Sequence, residues 1–161
     1  MITILIYGFI IFALFAASFV SKRRFGLLGL ALSAGSLLSS IWSYDAGLVA
    51  SFVGIPSTQL TSAVVSLLIT ILPAAILMLH GRTYNTSIGR IIGSALFSLL
   101  AFAFLIEPLG NIFIAPQGVG ADVFNWIVAN RTVIIGVGLI VAIAELFITK
   151  SVQVSDKRYK H

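Results

Sequence analysis

The chain has 161 residues, of which 59% are hydrophobic and 9% are charged, and its mean hydropathy is +1.11. A soluble domain is about 45–50% apolar and about 25% charged, so this composition excludes a soluble protein and requires lipid as the solvent. The absence of cysteine excludes thiol catalysis, disulfides and thiolate metal sites. The formal charge of +5 is carried largely by short loops between apolar runs, which indicates contact with lipid headgroups and not with nucleic acid.

Five apolar runs, taken in chain order, predict five transmembrane helices of close to the ~20 residues that cross a bilayer. The first run precedes the basic turn Lys22-Arg23-Arg24, whereas a cleaved signal peptide carries its charge before the apolar stretch. We therefore expect a retained helix. The fourth run ends at Glu107-Pro108, and a short disordered basic tail follows the fifth. The predicted spans of this single domain cover residues 2–20, 25–44, 60–79, 91–106 and 132–149, with the tail at 150–161.

Two of the connecting segments are long. Residues 45–59 contain glycine and proline and predict an irregular loop. Residues 109–131 begin in the same way, but their second half, 122–130, has a helical apolar face next to Trp126. We predict a short helix here that lies at the outer membrane interface. Its predicted apolar face consists of Phe124, Ile127 and Val128.

The distribution of basic residues predicts the topology. With the N-terminus outside and five spans, nine of the ten Lys and Arg residues lie on the cytosolic side, and Arg131 alone lies outside. Four spans would destroy this asymmetry. The fold class is therefore an all-α, polytopic membrane helical bundle with a cytosolic C-terminus. The predicted cytosolic residues are Lys22, Arg23, Arg24, Arg82, Arg90, Lys150, Lys157, Arg158 and Lys160.

Small residues predict how the helices pack. Membrane helices associate through close packing and buried polar contacts, because lipid is as apolar as leucine. The second span has one stripe of small residues and a second row at Ala31, Gly35 and Ser39, so we expect it at the centre of the bundle. The alternative is that the serines line a polar pathway. The stripe consists of Gly26, Gly29, Ser33, Ser36, Ser40 and Ser43, and the fourth span adds Gly89 and Gly93.

Three ionisable side chains lie within or beside the spans. Glu145 is five residues before Lys150, or ~7 Å from the inner boundary. Its side chain can snorkel to that boundary or pair with Arg82 or Arg90, and we expect structural pairing. A proton-carrying role for Glu145 is the alternative. Glu107 lies at the outer boundary, where water can solvate it, and His80 ends the third span at the inner interface.

No arrangement of residues predicts catalysis. The sequence has no paired carboxylates, no nucleophile with a nearby base, no phosphate-binding glycine loop and no metal-ligand spacing. The two histidines, His80 and His161, are far apart. We therefore expect neither enzymatic activity nor a cofactor.

Two stretches carry a family resemblance. The first is Ser18-Phe19-Val20-Ser21-Lys22-Arg23-Arg24-Phe25-Gly26 with the small-residue helix that follows, and the second is Ile88-Gly89-Arg90-Ile91-Ile92-Gly93-Ser94-Ala95-Leu96. Over about residues 1–106 the chain resembles the colicin V production protein family (CvpA-like membrane proteins). It departs from that pattern in having no acidic residue before Asp45 and Phe97 in place of a glycine. The resemblance implies an inner-membrane protein linked to secretion and envelope homeostasis, with no catalytic residues.

These observations favour a non-enzymatic accessory or scaffold protein of a bacterial-type inner membrane. Its partners would be the lipid bilayer and other membrane proteins or further copies of itself, with the outer segment 109–131 as a contact surface. One alternative is a small homo-oligomeric pore of the holin type. Another is a small subunit of a larger transport or energy-coupling complex, in which Glu145 completes a site on another chain. An enzyme acting on lipids is the least favoured.

Overall fold

The computed structural model describes residues 2–42, 58–80, 84, 86–113 and 120–158, with the backbone alone at 2, 80 and 149–158. The regular structure of these residues is helical, which confirms the all-α class. The predicted loop 45–59 lies almost wholly outside the described residues. The helices are α1 (Ile2–Ser21), α2 (Phe25–Trp42), α3 (Gln59–His80), α4 (Ser87–Ile112), α5 (Ala121–Ala129) and α6 (Arg131–Arg158).

Five of these six helices, α1, α2, α3, α4 and α6, are long and apolar enough to cross a membrane. A helix suits that solvent because it satisfies its own backbone hydrogen bonds where water is absent. The five apolar spans predicted from the sequence are therefore confirmed as helices. We call the end of the bundle with Lys22, Arg23 and Arg24 the basic end, and the end where α1 begins the far end.

Helix α4 is longer than the fourth predicted span. It starts at Ser87 and passes through Glu107 and Pro108 to Ile112. Proline removes one backbone donor and crowds the carbonyl four residues earlier, but it does not forbid the turns that follow. Pro108 is itself buried, and the N–H of Phe113 donates to the Leu109 carbonyl at 2.8 Å to close the end of the helix.

Helix α6 also exceeds its prediction. The tail predicted as disordered continues this helix to Arg158. Residues 150–158 contain neither glycine nor proline, and basic residues near a helix C-terminus interact favourably with the helix dipole. Both properties favour the extra helical turns.

Two helices form the centre of the bundle. In an 18-residue apolar stretch of each spanning helix, 56% of the residues of α4 and 44% of those of α2 are buried, against 17% or less for α1, α3 and α6. Helix α2 packs against α3, α6 and α4, while α4 also packs against α1. The second span is central, as its small residues predict, and α4 shares that position. The central cluster consists of Phe25, Leu28, Ala31, Leu32, Ala74, Phe97, Leu100, Ala101, Phe104 and Ala142.

A second apolar cluster, the far cluster, holds α5 against the far end. It consists of Tyr7, Phe102, Leu105, Ile106, Leu109 and Ile127. The short helix predicted at 122–130 is present at Ala121–Ala129, and Ile127 is its buried residue. The ring of Phe124 lies 5.0 Å from that of Tyr7. Val128 does not share this face: it is 45% exposed, and Trp126 is 62% exposed.

Candidate functional site

A polar cavity of about 420 Å³ opens at the far end, between α2, α3, α4 and the start of α6. We call it the vestibule. Its volume falls within the ~300–1,000 Å³ of small-molecule sites. Polar side chains dominate its wall, and a cavity that is both polar and roomy holds water. The lining residues are Ser36, Ser39, Ser40, Gln59, Ser62, Ala63, Ser66, Thr70, Phe104, Glu107, Pro108, Asn111 and Arg131.

Hydroxyl groups of α2 and α3 form one wall of the vestibule. The Oγ atoms of Ser39 and Ser66 are 2.6 Å apart, and the Thr70 hydroxyl donates to the Ser66 carbonyl at 2.8 Å. Thr70 is the deepest polar residue of α3 in this wall, eleven positions after Gln59, which corresponds to ~16 Å of helix rise. This length is about half the ~30 Å thickness of a bilayer's hydrocarbon core.

An ion pair stands at the mouth of the vestibule. Nη1 of Arg131 and Oε2 of Glu107 are 2.7 Å apart, and the two side chains are 32% and 66% exposed. Within the described part of the chain, the buried Nε of Arg131 has no hydrogen-bond partner. Glu107 is thus largely exposed, at the end of the bundle that the sequence predicts as the outer one. The pairing was missed, although both residues flank spans on the same predicted side.

The central cluster closes the vestibule from below. Phe104 belongs both to the lining and to that cluster. Towards the basic end follow Leu32, Leu28 and Phe97, all of which are almost completely buried. An apolar, close-packed layer of this kind excludes water. The vestibule is therefore a recess that ends in the middle of one copy of the chain.

The small-residue stripe of α2 divides between two roles. Near the basic end, Gly26 and Gly29 lie against α6 at Ala142. Farther along, Ser36 and Ser40 line the vestibule, while Ser33 between these pairs is half-buried. The second row faces α3, where Gly35 contacts the backbone of Thr70 and Ser39 meets Ser66. Packing and polar lining thus coexist on one helix.

A hydrogen-bonded group at the basic end joins three segments of the chain. Oε1 of Glu145 accepts from the Tyr84 hydroxyl at 2.6 Å, and Oε2 accepts from the backbone N–H of Gly26 at 2.6 Å. The Tyr84 oxygen accepts in turn from the N–H of Phe25 at 3.0 Å. The first N–H groups of a helix lack intrahelical partners and attract negative charge. Glu145 of α6 therefore caps α2, and we call this arrangement the Glu145–Tyr84 clamp.

The clamp differs from the pairing expected for Glu145. Arg82 lies outside the described residues, and the Arg90 guanidinium lies 4.0 Å from the centre of the Phe19 ring. Burial raises the pKa of Tyr84 well above its ordinary value, and the hydrogen bond to Glu145 raises it further. The hydroxyl therefore stays protonated and keeps donating to the carboxylate.

Tyr84 also explains the two glycines of α4. A Cβ at Gly93 would collide with the Tyr84 ring, and one at Gly89 would lie 3.1 Å from it. The structure therefore places the tyrosine ring, from the loop between α3 and α4, against the glycines that the sequence assigned to helix packing. Tyr84 carries no signal in the sequence beyond its place in a short loop ahead of these glycines.

The basic turn has a structural role in addition to its charge. Lys22 adopts a left-handed conformation with φ of 56°, and its N–H donates to the Ser18 carbonyl at 3.2 Å. The change of backbone direction at Lys22 ends α1. Arg23 donates from Nε to the Met78 carbonyl at 2.9 Å and from Nη2 to the Leu79 carbonyl at 2.6 Å. It thereby caps the last carbonyls of α3. The side chain of His80 lies outside the described atoms.

The described residues contain no group of three or more His, Asp or Glu side chains that could hold a metal ion. The described residues of the site form a hydroxyl-lined recess with one carboxylate and one guanidinium at its mouth. Comparisons with family models, with curated proteins and with solved structures find no significant match to this chain.

Proposed function

We propose that this chain is a five-span protein of a bacterial-type inner membrane, with its N-terminus outside and its C-terminus in the cytosol. The positive-inside rule supports this orientation. Lys22, Arg23, Arg24 and Arg90 lie at the basic end of the helices, which is cytosolic in the proposal. The vestibule then opens outside, and the Glu145–Tyr84 clamp lies at the inner boundary.

In that membrane, the protein serves as a non-enzymatic accessory or scaffold component that works with partner proteins. The observation that carries this proposal is the closed floor of the vestibule. A recess that ends at Thr70 above the apolar central cluster can receive a ligand or a polar group of a partner, and within the described residues that cluster separates it from the basic end. The resemblance to CvpA-like proteins supports a role in secretion or envelope homeostasis.

A small homo-oligomeric pore is the second candidate. The hydroxyl wall of Ser36, Ser39, Ser40, Ser62 and Ser66 favours it, because such a surface holds water. The water-filled pathway of such a pore would have to run between neighbouring copies of the chain. A proton-carrying subunit of a larger transport complex is less favoured, because both carboxylate oxygens of Glu145 already accept hydrogen bonds within the chain.

The orientation is tested with single-cysteine variants, because the chain has no cysteine of its own. Thr58→Cys and Thr86→Cys introduce exposed thiols at the far end and the basic end. In intact cells, a membrane-impermeant maleimide should label the first variant only, and permeabilisation should expose the second. Labelling of Thr86→Cys alone in intact cells would reverse the orientation.

The accessory role is tested by the mass and composition of the complex after gentle native extraction from its own membrane. A stoichiometric set of other proteins is the expected result. A homo-oligomer without other proteins would contradict the accessory role and place the pore first. Conductance in planar bilayers would then be the next measurement.

A further inference from the structure

We propose that the vestibule binds a small zwitterion, with a primary ammonium and an oxyanion close together, and that the Glu107–Arg131 pair recognises it. This inference goes beyond an accessory role, since it assigns a ligand class to a site. It depends on the proposed orientation only for the side from which the ligand enters.

The charges at the site select the net charge of the ligand. Among the residues that the structure describes, the lining contains one carboxylate and one guanidinium, and its other members are neutral. A singly charged ligand that binds one partner of the ion pair leaves the other without a counter-charge. A zwitterion replaces one ion pair by two, because its ammonium binds Glu107 and its oxyanion binds Arg131. Charge balance is thereby kept in a recess bounded by an apolar layer.

The ion pair leaves hydrogen-bonding capacity for such a ligand. Arg131 contacts Glu107 through Nη1, and its buried Nε has no partner in the described part of the chain. A guanidinium has five N–H donors and binds carboxylate or phosphate in a bidentate manner. Glu107 contacts Arg131 through Oε2 and is 66% exposed, so an ammonium can approach it.

The rest of the wall suits the body of a small polar ligand. Ser36, Ser40 and Ser62 bring hydroxyls to the cavity, and Gln59 and Asn111 bring amides. These groups both donate and accept hydrogen bonds, so they replace the water that the ligand displaces. At about 420 Å³, the vestibule is at the lower end of the small-molecule range.

Two sources supply this chemistry: a free α-amino acid and the headgroup of a phosphatidylethanolamine lipid. The test uses the purified full chain in maltoside micelles, with thermal unfolding followed by tryptophan fluorescence. The probes are glycine and short-chain phosphatidylethanolamine. Ethylamine and acetate serve as half-ligands, and short-chain phosphatidylcholine, whose ammonium has no N–H, serves as the lipid control.

We expect a zwitterion to raise Tm in a saturable manner, while each half-ligand and phosphatidylcholine raise it much less. A shift with glycine alone identifies a free solute, and a shift with phosphatidylethanolamine alone identifies a headgroup. A shift with both supports the shared chemistry. The proposal would be overturned if neither zwitterion raised Tm. It would also be overturned if ethylamine and acetate each raised Tm as much as the zwitterions do.

Variants locate the site. Glu107→Gln and Arg131→Gln should each weaken zwitterion binding at least ~10-fold, because each removes a charge-assisted contact. Asp122→Asn, which removes an exposed carboxylate from α5 that does not line the vestibule, should leave the affinity unchanged. Equal affinities of Glu107→Gln and Asp122→Asn would refute the assignment. The purified protein in micelles has no partner proteins and no inner or outer face. The binding result is therefore independent of the proposed accessory role and orientation.

Discussion

Gly35 of α2 lies against the backbone of α3 at Thr70, the residue at the inner end of the vestibule wall. A Cβ at this position would lie 2.9 Å from the carbonyl carbon of Thr70 and 3.0 Å from the carbonyl oxygen of Ile69, and nearer still to the Thr70 oxygen. These neighbours are backbone atoms, so α3 must move as a unit to make room for Gly35→Ala. Overpacking costs about 1–3 kcal/mol, and the better helix propensity of alanine offsets up to about 1 kcal/mol.

Because backbone atoms cannot give way as a flexible side chain can, we place the overpacking cost in the upper part of that range. The net loss expected for Gly35→Ala is then about 1–2 kcal/mol, or about a 5- to 30-fold change in the unfolding equilibrium. Gly8→Ala and Gly136→Ala are matched controls, because a Cβ at either site meets no atom within 4 Å. The assay is unfolding by SDS in maltoside micelles, followed by circular dichroism and tryptophan fluorescence. If Gly35→Ala were as stable as Gly136→Ala, the close contact between α2 and α3 at Gly35 would be refuted.

Three further predictions concern the basic end. In a double-mutant cycle of Tyr84→Phe and Glu145→Ala, we expect a coupling energy of about 1–2 kcal/mol in the same unfolding assay, and additive effects would contradict the clamp. Because burial, and then the Glu145 hydrogen bond, raise the pKa of Tyr84, the folded state holds this proton more tightly than the unfolded state. Stability should therefore fall as pH rises above the ordinary tyrosine pKa of about 10, and unfolding at pH 9–11 should show a smaller fall in Tyr84→Phe. Finally, Arg23→Gln should lower the unfolding free energy by about 1 kcal/mol, because two carbonyls of α3 lose a charged donor. Lys22→Gln is the control, and equal stability of the two variants would count against this cap.

The five spans could be predicted from the sequence because lipid imposes both a length and a composition on each helix. Helix ends follow a different rule. Helix α4 continues past Pro108 because Pro108 and Leu109 are buried, with Leu109 packed in the far cluster beside Tyr7 and Ile127. That packing joins residues that are distant in sequence. The local pattern of an acidic residue followed by proline therefore predicted that the helix ends at residue 106, whereas it ends at Ile112.

The candidate site could be predicted only in part, for the same reason. Glu107 and Glu145 stand out in the sequence because a charge beside an apolar run is rare. Their partners, Arg131 and Tyr84, are distant in the chain, and a single sequence carries no information on which residues pair. The serine spacing of α2 did indicate a polar lining, but it could not separate that role from packing, which Gly26 and Gly29 perform on the same helix.

Each end of the bundle holds one glutamate carboxylate, Glu107 at the far end and Glu145 at the basic end, and the two are held in physically different ways. This difference makes the far end able to respond to a ligand and keeps the basic end fixed. Glu107 is 66% exposed and forms an ion pair with Arg131, and exposed ion pairs contribute only about 0–1 kcal/mol. A ligand can therefore open that pair at little cost. Glu145 accepts one of its hydrogen bonds from a backbone N–H that is fixed by α2, and the other from a tyrosine wedged against Gly93. Opening the clamp would leave the first N–H groups of α2 without partners, which is costly. The basic end is therefore the part that keeps one conformation when a ligand opens the Glu107–Arg131 pair.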